Sequence, residues 1–191
     1  MWLLGFACIR WLGTWSVLAG GAVAAATMLV LRGKEVRALL QWNPRWVSIG
    51  VLAGAVMVAG TEGMFILLTR LIPELHRGTA GLYEVLRADA YPRPVLAGLI
   101  VVVSVAEEII WRGTALGHEA HTLRTRWRHG LFCCVVYAGA HAASGSALLV
   151  LLSFGCGVFW AALRLKSGSL WPSMVAHVLW DLTILVFHPL V

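Results

Sequence analysis

The sequence predicts an all-α, polytopic membrane helix bundle of about six transmembrane helices. Three observations predict it. Sixty percent of the 191 residues are hydrophobic and only 13% are charged, whereas a soluble domain is nearer half apolar and a quarter charged. Mean hydropathy is +0.82. Long stretches free of Lys, Arg, Asp and Glu recur along the whole chain. So few charged side chains cannot cover a water-facing surface. That excludes a soluble globular protein, a disordered tail and a nucleic-acid-binding module.

Each span follows from its own run. Residues 12–31 carry no charge. Residues 47–69 are interrupted only by Glu62, and residues 95–111 only by Glu107 and Glu108. Residues 130–163 carry no charge at all, too long a run for one span of about 20 residues. The Ala-Ala-Ser-Gly-Ser segment at 142–146 breaks it in two. The fourth helix, ending near Ala143, is then short, unless it starts before Gly130. Residues 170–191 are interrupted only by Asp181. The N-terminus lacks a basic region before its apolar run, so it reads as a retained first span rather than a cleaved signal. The 71–94 segment reads as an interfacial connector. No internal repeat or second domain is visible. The chain reads as one integral-membrane domain, 1–191, with N-terminal helices and the connector in 1–93 and the chemistry in 94–187.

The net charge of +6 has a membrane explanation. Arg32, Lys34, Arg37, Arg45, Arg124, Arg126, Arg128, Arg164 and Lys166 fall on one side of the bundle, nine in all. Arg10, Arg70, Arg77, Arg87 and Arg93 fall on the other. The positive-inside rule places the nine in the cytoplasm and both termini outside. Ten tryptophans suit a chain crossing two lipid–water interfaces. The four cysteines, Cys8, Cys133, Cys134 and Cys156, have neither zinc spacing nor a disulfide pattern and read as small buried hydrophobes.

Ionisable groups inside a bilayer cost at least ~2.5 kcal/mol each on insertion scales. Six of them cluster by depth: Glu107, Glu108, Arg112, His141, His177 and Asp181. Glu108 and His177 both lie roughly 10–12 Å from the cytoplasmic helix ends at 1.5 Å per residue. His141 falls at a comparable or greater depth. Glu108 and Arg112 share a helix face and can pair, while Glu107 points about 100° away toward another partner. Tyr137 lies one turn before His141 and reads as packing. His177 and Asp181 are again four apart, so the carboxylate can fix the imidazole.

Each group alone has an ordinary structural reading, as an ion pair or a packed histidine. Together they do not, because a bundle built only for stability does better with apolar residues. Two carboxylates, two histidines and an arginine around a wet cavity suit hydrolysis. A glutamate can take a proton from water, a histidine can relay it, and a second histidine can donate to an oxyanion. Glu107, His141 and His177 would equally form a two-histidine, one-glutamate zinc shell. The residues do not separate these two chemistries. Glu62 reads as structural or cavity-lining and His188 as interfacial, while His76, His118, His121 and His129 read as solvated loop residues.

Glu-Glu-x-x-x-Arg at 107–112, aromatic-x-x-x-His at 137–141 and His-x-x-x-Asp at 177–181, on successive helices, resemble the CPBP (Abi) family of intramembrane proteases. These include the type II CAAX prenyl endopeptidases and bacterial relatives. The run from Ser167 to His177 and the glycine-containing stretch 154–157 share the resemblance, which covers about 94–187. The resemblance implies that Glu107 with His141 activates water, that Glu108 and Arg112 support the site, and that His177 and Asp181 lie at the oxyanion. Two positions depart from the pattern. Tyr137 stands where phenylalanine is usual, and Asp181 where asparagine is frequent. An ionised aspartate cannot donate to an oxyanion, so Asp181 either carries a proton or acts by orienting His177.

The implied activity is cleavage of a peptide bond in a membrane-anchored protein or peptide: a sorting tail, a bacteriocin-like peptide or a prenylated C-terminus. The favoured reading needs no cofactor, with zinc as the alternative. The partners are that substrate and the lipid bilayer, without nucleic acid, and the location is a bacterial cytoplasmic membrane. Two rival classes are a proton-coupled transporter and a catalytically silent immunity or assembly protein. The first would call for repeats or broken helices in matching halves.

Overall fold

The computed structural model describes residues 14–87, 91–116 and 123–191, and these are almost wholly helical, without a strand. The chain is an all-α membrane bundle. Cys8, Arg10, the expected start of the first span at Leu12, Asp89, His118 and His121 lie outside the described residues.

Helix α1 is Thr14–Leu31, followed by the short α2, Gly33–Leu39. Helix α3 is Pro44–Leu71. Its start is set by Pro44 in the first turn and by Asn43, whose side chain accepts from the Arg45 N–H at 3.0 Å. Helix α4 is Glu74–Arg87 and helix α5 is Arg93–Glu107. Without a break, α5 runs on into a π-helical turn, Glu108–Ala115. Helix α6 is Leu123–His141, and helix α7 is Ala147–Ser167. Helix α8, Trp171–Leu182, ends in a second π-helical turn, Thr183–Phe187.

Helices thus occupy all six expected positions. Pro44–Leu71, Arg93–Ala115 and Ala147–Ser167 are long and apolar enough to cross a bilayer, while the apolar parts Gly20–Leu31 and Trp171–Phe187 are shorter. The fourth expected helix does begin before Gly130, in the arginine-bearing turn of α6. The break at 142–146 is a single 3-10 turn, Ala142–Ser144, then Gly145 at φ 75°, then Ser146 capping α7 by accepting from the Leu149 N–H. The left-handed φ explains why glycine stands there.

Two expectations change. The 71–94 connector contains a full helix, α4. Its Leu75, Thr79, Leu82 and Tyr83 recur at three- and four-residue spacing on one face, while Glu74, Arg77 and Glu84 are exposed. His76 and His129 are exposed as expected, but on helices α4 and α6 rather than on loops.

Small residues set the closest helix contact. Gly50 and Gly54 lie four apart on α3 and face α8. A Cβ on Gly50 would stand 2.8 Å from Val175 Cβ, and one on Gly54 would stand 3.2 Å from Ala176 Cα. Glycine spacing of this kind lets two membrane helices approach until their backbones touch. Farther along the same pair, the Trp180 indole N–H donates to Thr61 Oγ1 at 2.9 Å. The start of α8 is tied to the end of α2. The Leu170 N–H and the Ser169 hydroxyl both donate to the Leu39 carbonyl, and the Trp171 indole donates to Leu40. These contacts fix α8 in depth and rotation, and α8 carries His177. At the other end of the pair Glu62 meets His188 at 3.0 Å, so this acid has a structural partner outside the cluster.

Candidate active site

Helices α5, α6 and α8 bring together all six residues singled out in the sequence, and α7 closes the group from behind. Glu107, Glu108, Arg112, His141 and His177 are buried, and Asp181 is half-buried.

The expected pairing of Glu108 with Arg112 holds at 3.0 Å, between Oε1 and a guanidinium nitrogen. The same Oε1 faces His177 Nδ1, also at 3.0 Å. Glu108 therefore ties α5 to α8 through one oxygen. Its other oxygen, Oε2, has no hydrogen-bond partner among the described residues. Arg112 also donates to the Gly157 carbonyl of α7 at 3.2 Å. Its guanidinium lies 4.7 Å from the Tyr137 ring centroid and 5.2 Å from that of Trp160. A planar cation held between aromatic faces and a carboxylate suits arginine and not lysine.

The second nitrogen of His177 faces Asp181 one turn on, with Nε2 3.2 Å from Oδ2. Each ring nitrogen thus faces a carboxylate oxygen, an arrangement that suits a doubly protonated ring. The face of the imidazole is covered by Trp160, stacked at 3.6 Å between centroids and 19° from parallel. Ser104 closes this side, with its Oγ 2.7 Å from Asp181 Oδ2 and 2.8 Å from the Ile100 carbonyl. One hydroxyl carries one proton, so it serves only one of these acceptors at a time.

Glu107 is the remaining carboxylate. Its Oε2 accepts from the Tyr137 hydroxyl at 2.8 Å and lies 3.9 Å from His177 Nε2. This corrects the packing-only reading of Tyr137, which touches the acid directly. His141 Nδ1 lies 2.9 Å from the Tyr137 carbonyl. A carbonyl can only accept, so Nδ1 carries a hydrogen and donates it. The Tyr137 and His141 rings meet edge to face at 4.7 Å.

The π-helical turn sits on this motif. It begins at Glu108, and its i→i+5 bonding is seen where the Leu116 N–H donates to the Trp111 carbonyl at 3.0 Å. Single π turns inside helices are recurrent at functional sites. Gly157 serves close approach. A Cβ there would stand 3.1 Å from Tyr137 Cδ1 and 3.4 Å from an Arg112 nitrogen. Ser104, Trp160 and Gly157 were not among the residues read as functional. Spacing places only Ser104 near the motif, three and four residues before Glu107 and Glu108, and does not by itself give it a role.

Glu107, Tyr137, His141, His177 and Asp181 line one end of a cavity of ≈ 270 Å³. The rest of it is almost wholly apolar, with Phe65 and Leu68 from α3, Leu75 and Leu82 from α4, and Leu148 and Leu152 from α7. The structure thus sets a few polar groups at the end of an apolar chamber, the usual build of a site for a small or extended ligand.

The zinc alternative asks Glu107, His141 and His177 to converge on one point. Among the described residues no three His, Cys, Asp or Glu side chains are grouped as metal ligands. His177 already presents both nitrogens to carboxylates, so a metal at Glu107 and His141 would have to draw Nε2 away from Asp181. As placed, these residues do not fit a metal shell.

Residues 90–183 match the family model described as Type II CAAX prenyl endopeptidase Rce1-like. Among curated proteins and solved structures, nothing matches the chain. The matched stretch holds Glu107, Glu108, Arg112, His141, His177 and Asp181 together with Ser104, Tyr137 and Trp160. The family is one of intramembrane endopeptidases, in keeping with the apolar helices of an integral membrane protein. Residues 90–183 are thus a domain of the type II CAAX prenyl endopeptidase Rce1-like kind.

Proposed function

We propose that the protein hydrolyses a peptide bond in a membrane-anchored protein or peptide, using water activated by Glu107 and His141. The observation that carries this reading is a division among three carboxylates. Glu108 is engaged by Arg112 and His177, and Asp181 by His177 and Ser104. Among the described residues Glu107 forms no ion pair with an arginine, and it lines the cavity beside both histidines. A carboxylate with only the more distant His177 ring beside it, at 3.9 Å, set in an apolar chamber, is suited to move a proton.

The sequence of steps follows from these positions. A substrate carbonyl enters the cavity with a water beside Glu107. As the water oxygen bonds to the carbonyl carbon, one water proton passes to Glu107, with His141 Nε2 as a second acceptor. The carbonyl oxygen becomes an oxyanion on the side of His177 and Asp181, where the His177 Nε2–H, held 3.2 Å from Asp181 Oδ2 at rest, is shared with it. Glu107 then returns the proton to the departing amine as the C–N bond breaks, leaving a carboxylic acid and an amine. His177 is kept oriented by Glu108, Asp181 and the Trp160 face.

The substrate is a membrane-anchored tail, such as a sorting tail, a bacteriocin-like peptide or a prenylated C-terminus, and the setting is a bacterial cytoplasmic membrane. The apolar chamber favours a peptide bond next to apolar groups over a soluble hydrophilic peptide. The test is cleavage of membrane-anchored peptides in vesicles by wild type and by Glu107→Ala. Cleavage abolished by the substitution supports the reading, and cleavage retained by it contradicts it. The transporter and silent-partner readings have no structural observation of their own.

A further inference from the structure

Tyr137 is held from every side. Its ring meets the Trp111 ring at 5.4 Å and 69°, lies under the Arg112 guanidinium at 4.7 Å, and rests where Gly157 has no Cβ. The ring therefore has little freedom to turn, and the direction of its hydroxyl is fixed with it. That hydroxyl reaches Glu107 Oε2 at 2.8 Å, within a buried environment. Among the described residues no donor contacts Glu107 Oε1. From these contacts we infer that Tyr137 is a positioning residue for Glu107: its hydroxyl holds Oε2 and leaves Oε1 as the oxygen that meets water.

The inference rests on the reading of Glu107 as the group that activates water, and goes beyond it in assigning the two oxygens different tasks. A carboxylate with no fixed donor turns about its last bond over a broad range, since that torsion is soft. A hydrogen bond to one oxygen removes that freedom before substrate arrives, which is how a rigid site gains rate. Phenylalanine at this position would keep the ring contacts with Arg112, His141 and Trp111 and lose only the donor. The hydroxyl is therefore an addition to the site rather than part of its packing.

Tyr137→Phe separates the two roles, because it removes one oxygen atom and leaves the ring. In vesicles, with a cleaved membrane-anchored peptide, kcat falls about tenfold, as for loss of one hydrogen bond to a charged group. KM and the unfolding temperature stay at the wild-type values. An unchanged kcat, or a raised KM with kcat unchanged, overturns the inference. Infrared spectroscopy gives a readout that does not depend on turnover. The difference between wild type and Glu107→Gln isolates the Glu107 carboxyl bands, and in Tyr137→Phe those bands move; bands that stay in place overturn the inference. Glu107→Ala run alongside keeps the two claims apart. If it retains cleavage, the reading of Glu107 fails, while the infrared result still decides whether the hydroxyl holds this carboxyl.

Discussion

The imidazole of His177 lies almost flat on the indole of Trp160, with centroids 3.6 Å apart and planes 19° from parallel. The two residues come from different helices, and both are buried. Glu108 and Asp181 fix the imidazole within its own plane, and Trp160 fixes it out of plane. Three constraints on one ring leave it a single orientation.

Trp160 therefore supports the site as well as the core. Trp160→Ala should lower stability by about 3–5 kcal/mol, the range for loss of a large buried aromatic. Trp160→Phe keeps a flat face and should retain most activity at a smaller stability loss. Thermal unfolding in detergent beside cleavage in vesicles checks both. A Trp160→Phe variant that unfolds like wild type and has lost cleavage would contradict the stacking account.

Arg112 holds a buried ion pair, so its removal leaves Glu108 to share the His177 ring with Asp181. Arg112→Ala should cost about 3–5 kcal/mol, because breaking a buried pair leaves a poorly compensated charge, far worse than a lost surface pair. Arg112→Lys should be only a partial rescue, since one ammonium cannot serve Glu108, Gly157 and two aromatic faces together. The check is unfolding temperature at low and high salt. Full rescue by lysine would contradict the geometric role.

Asp181 accepts from His177 and meets Ser104, which favours orientation over direct donation to the oxyanion. Asp181→Asn should then lose more than about tenfold in kcat, the lower end of what an oriented acid–base group contributes. Ser104→Ala should lose about 1 kcal/mol of stability, as for one hydrogen bond. Both are read from cleavage and unfolding on the same preparations. Full activity in Asp181→Asn would instead assign it direct donation.

Much of this was legible in the sequence, for a physical reason. A charge inside an apolar run is costly, so Glu107, Glu108, Arg112, His141, His177 and Asp181 stand out at once. The four-residue spacings gave the pairs Glu108–Arg112 and His177–Asp181, and both are present. The link between Glu108 and His177 was not legible, because it depends on how α5 and α8 rotate against each other. Ser104, Tyr137 and Trp160 are ordinary residues in an apolar helix, and their role appears only when their neighbours are known. Helix α4 was hidden by the glycines and prolines of 71–94, although Leu75, Thr79, Leu82 and Tyr83 carry a helical period. The break inside the long uncharged run, at 142–146, was legible, because glycine and serine there mark a turn.

The central claim is that Glu107 activates water without a metal. It is tested most directly by cleavage of a panel of membrane-anchored peptides, prenylated and unprenylated, by wild type and Glu107→Ala. Each is assayed with and without a chelator. The account predicts cleavage by wild type, no effect of the chelator, and a loss of at least about a hundredfold in Glu107→Ala, the scale of a general base. Cleavage by Glu107→Ala at the wild-type rate would contradict it. So would a wild-type activity that the chelator abolishes and added zinc restores, which would make Glu107, His141 and His177 ligands instead.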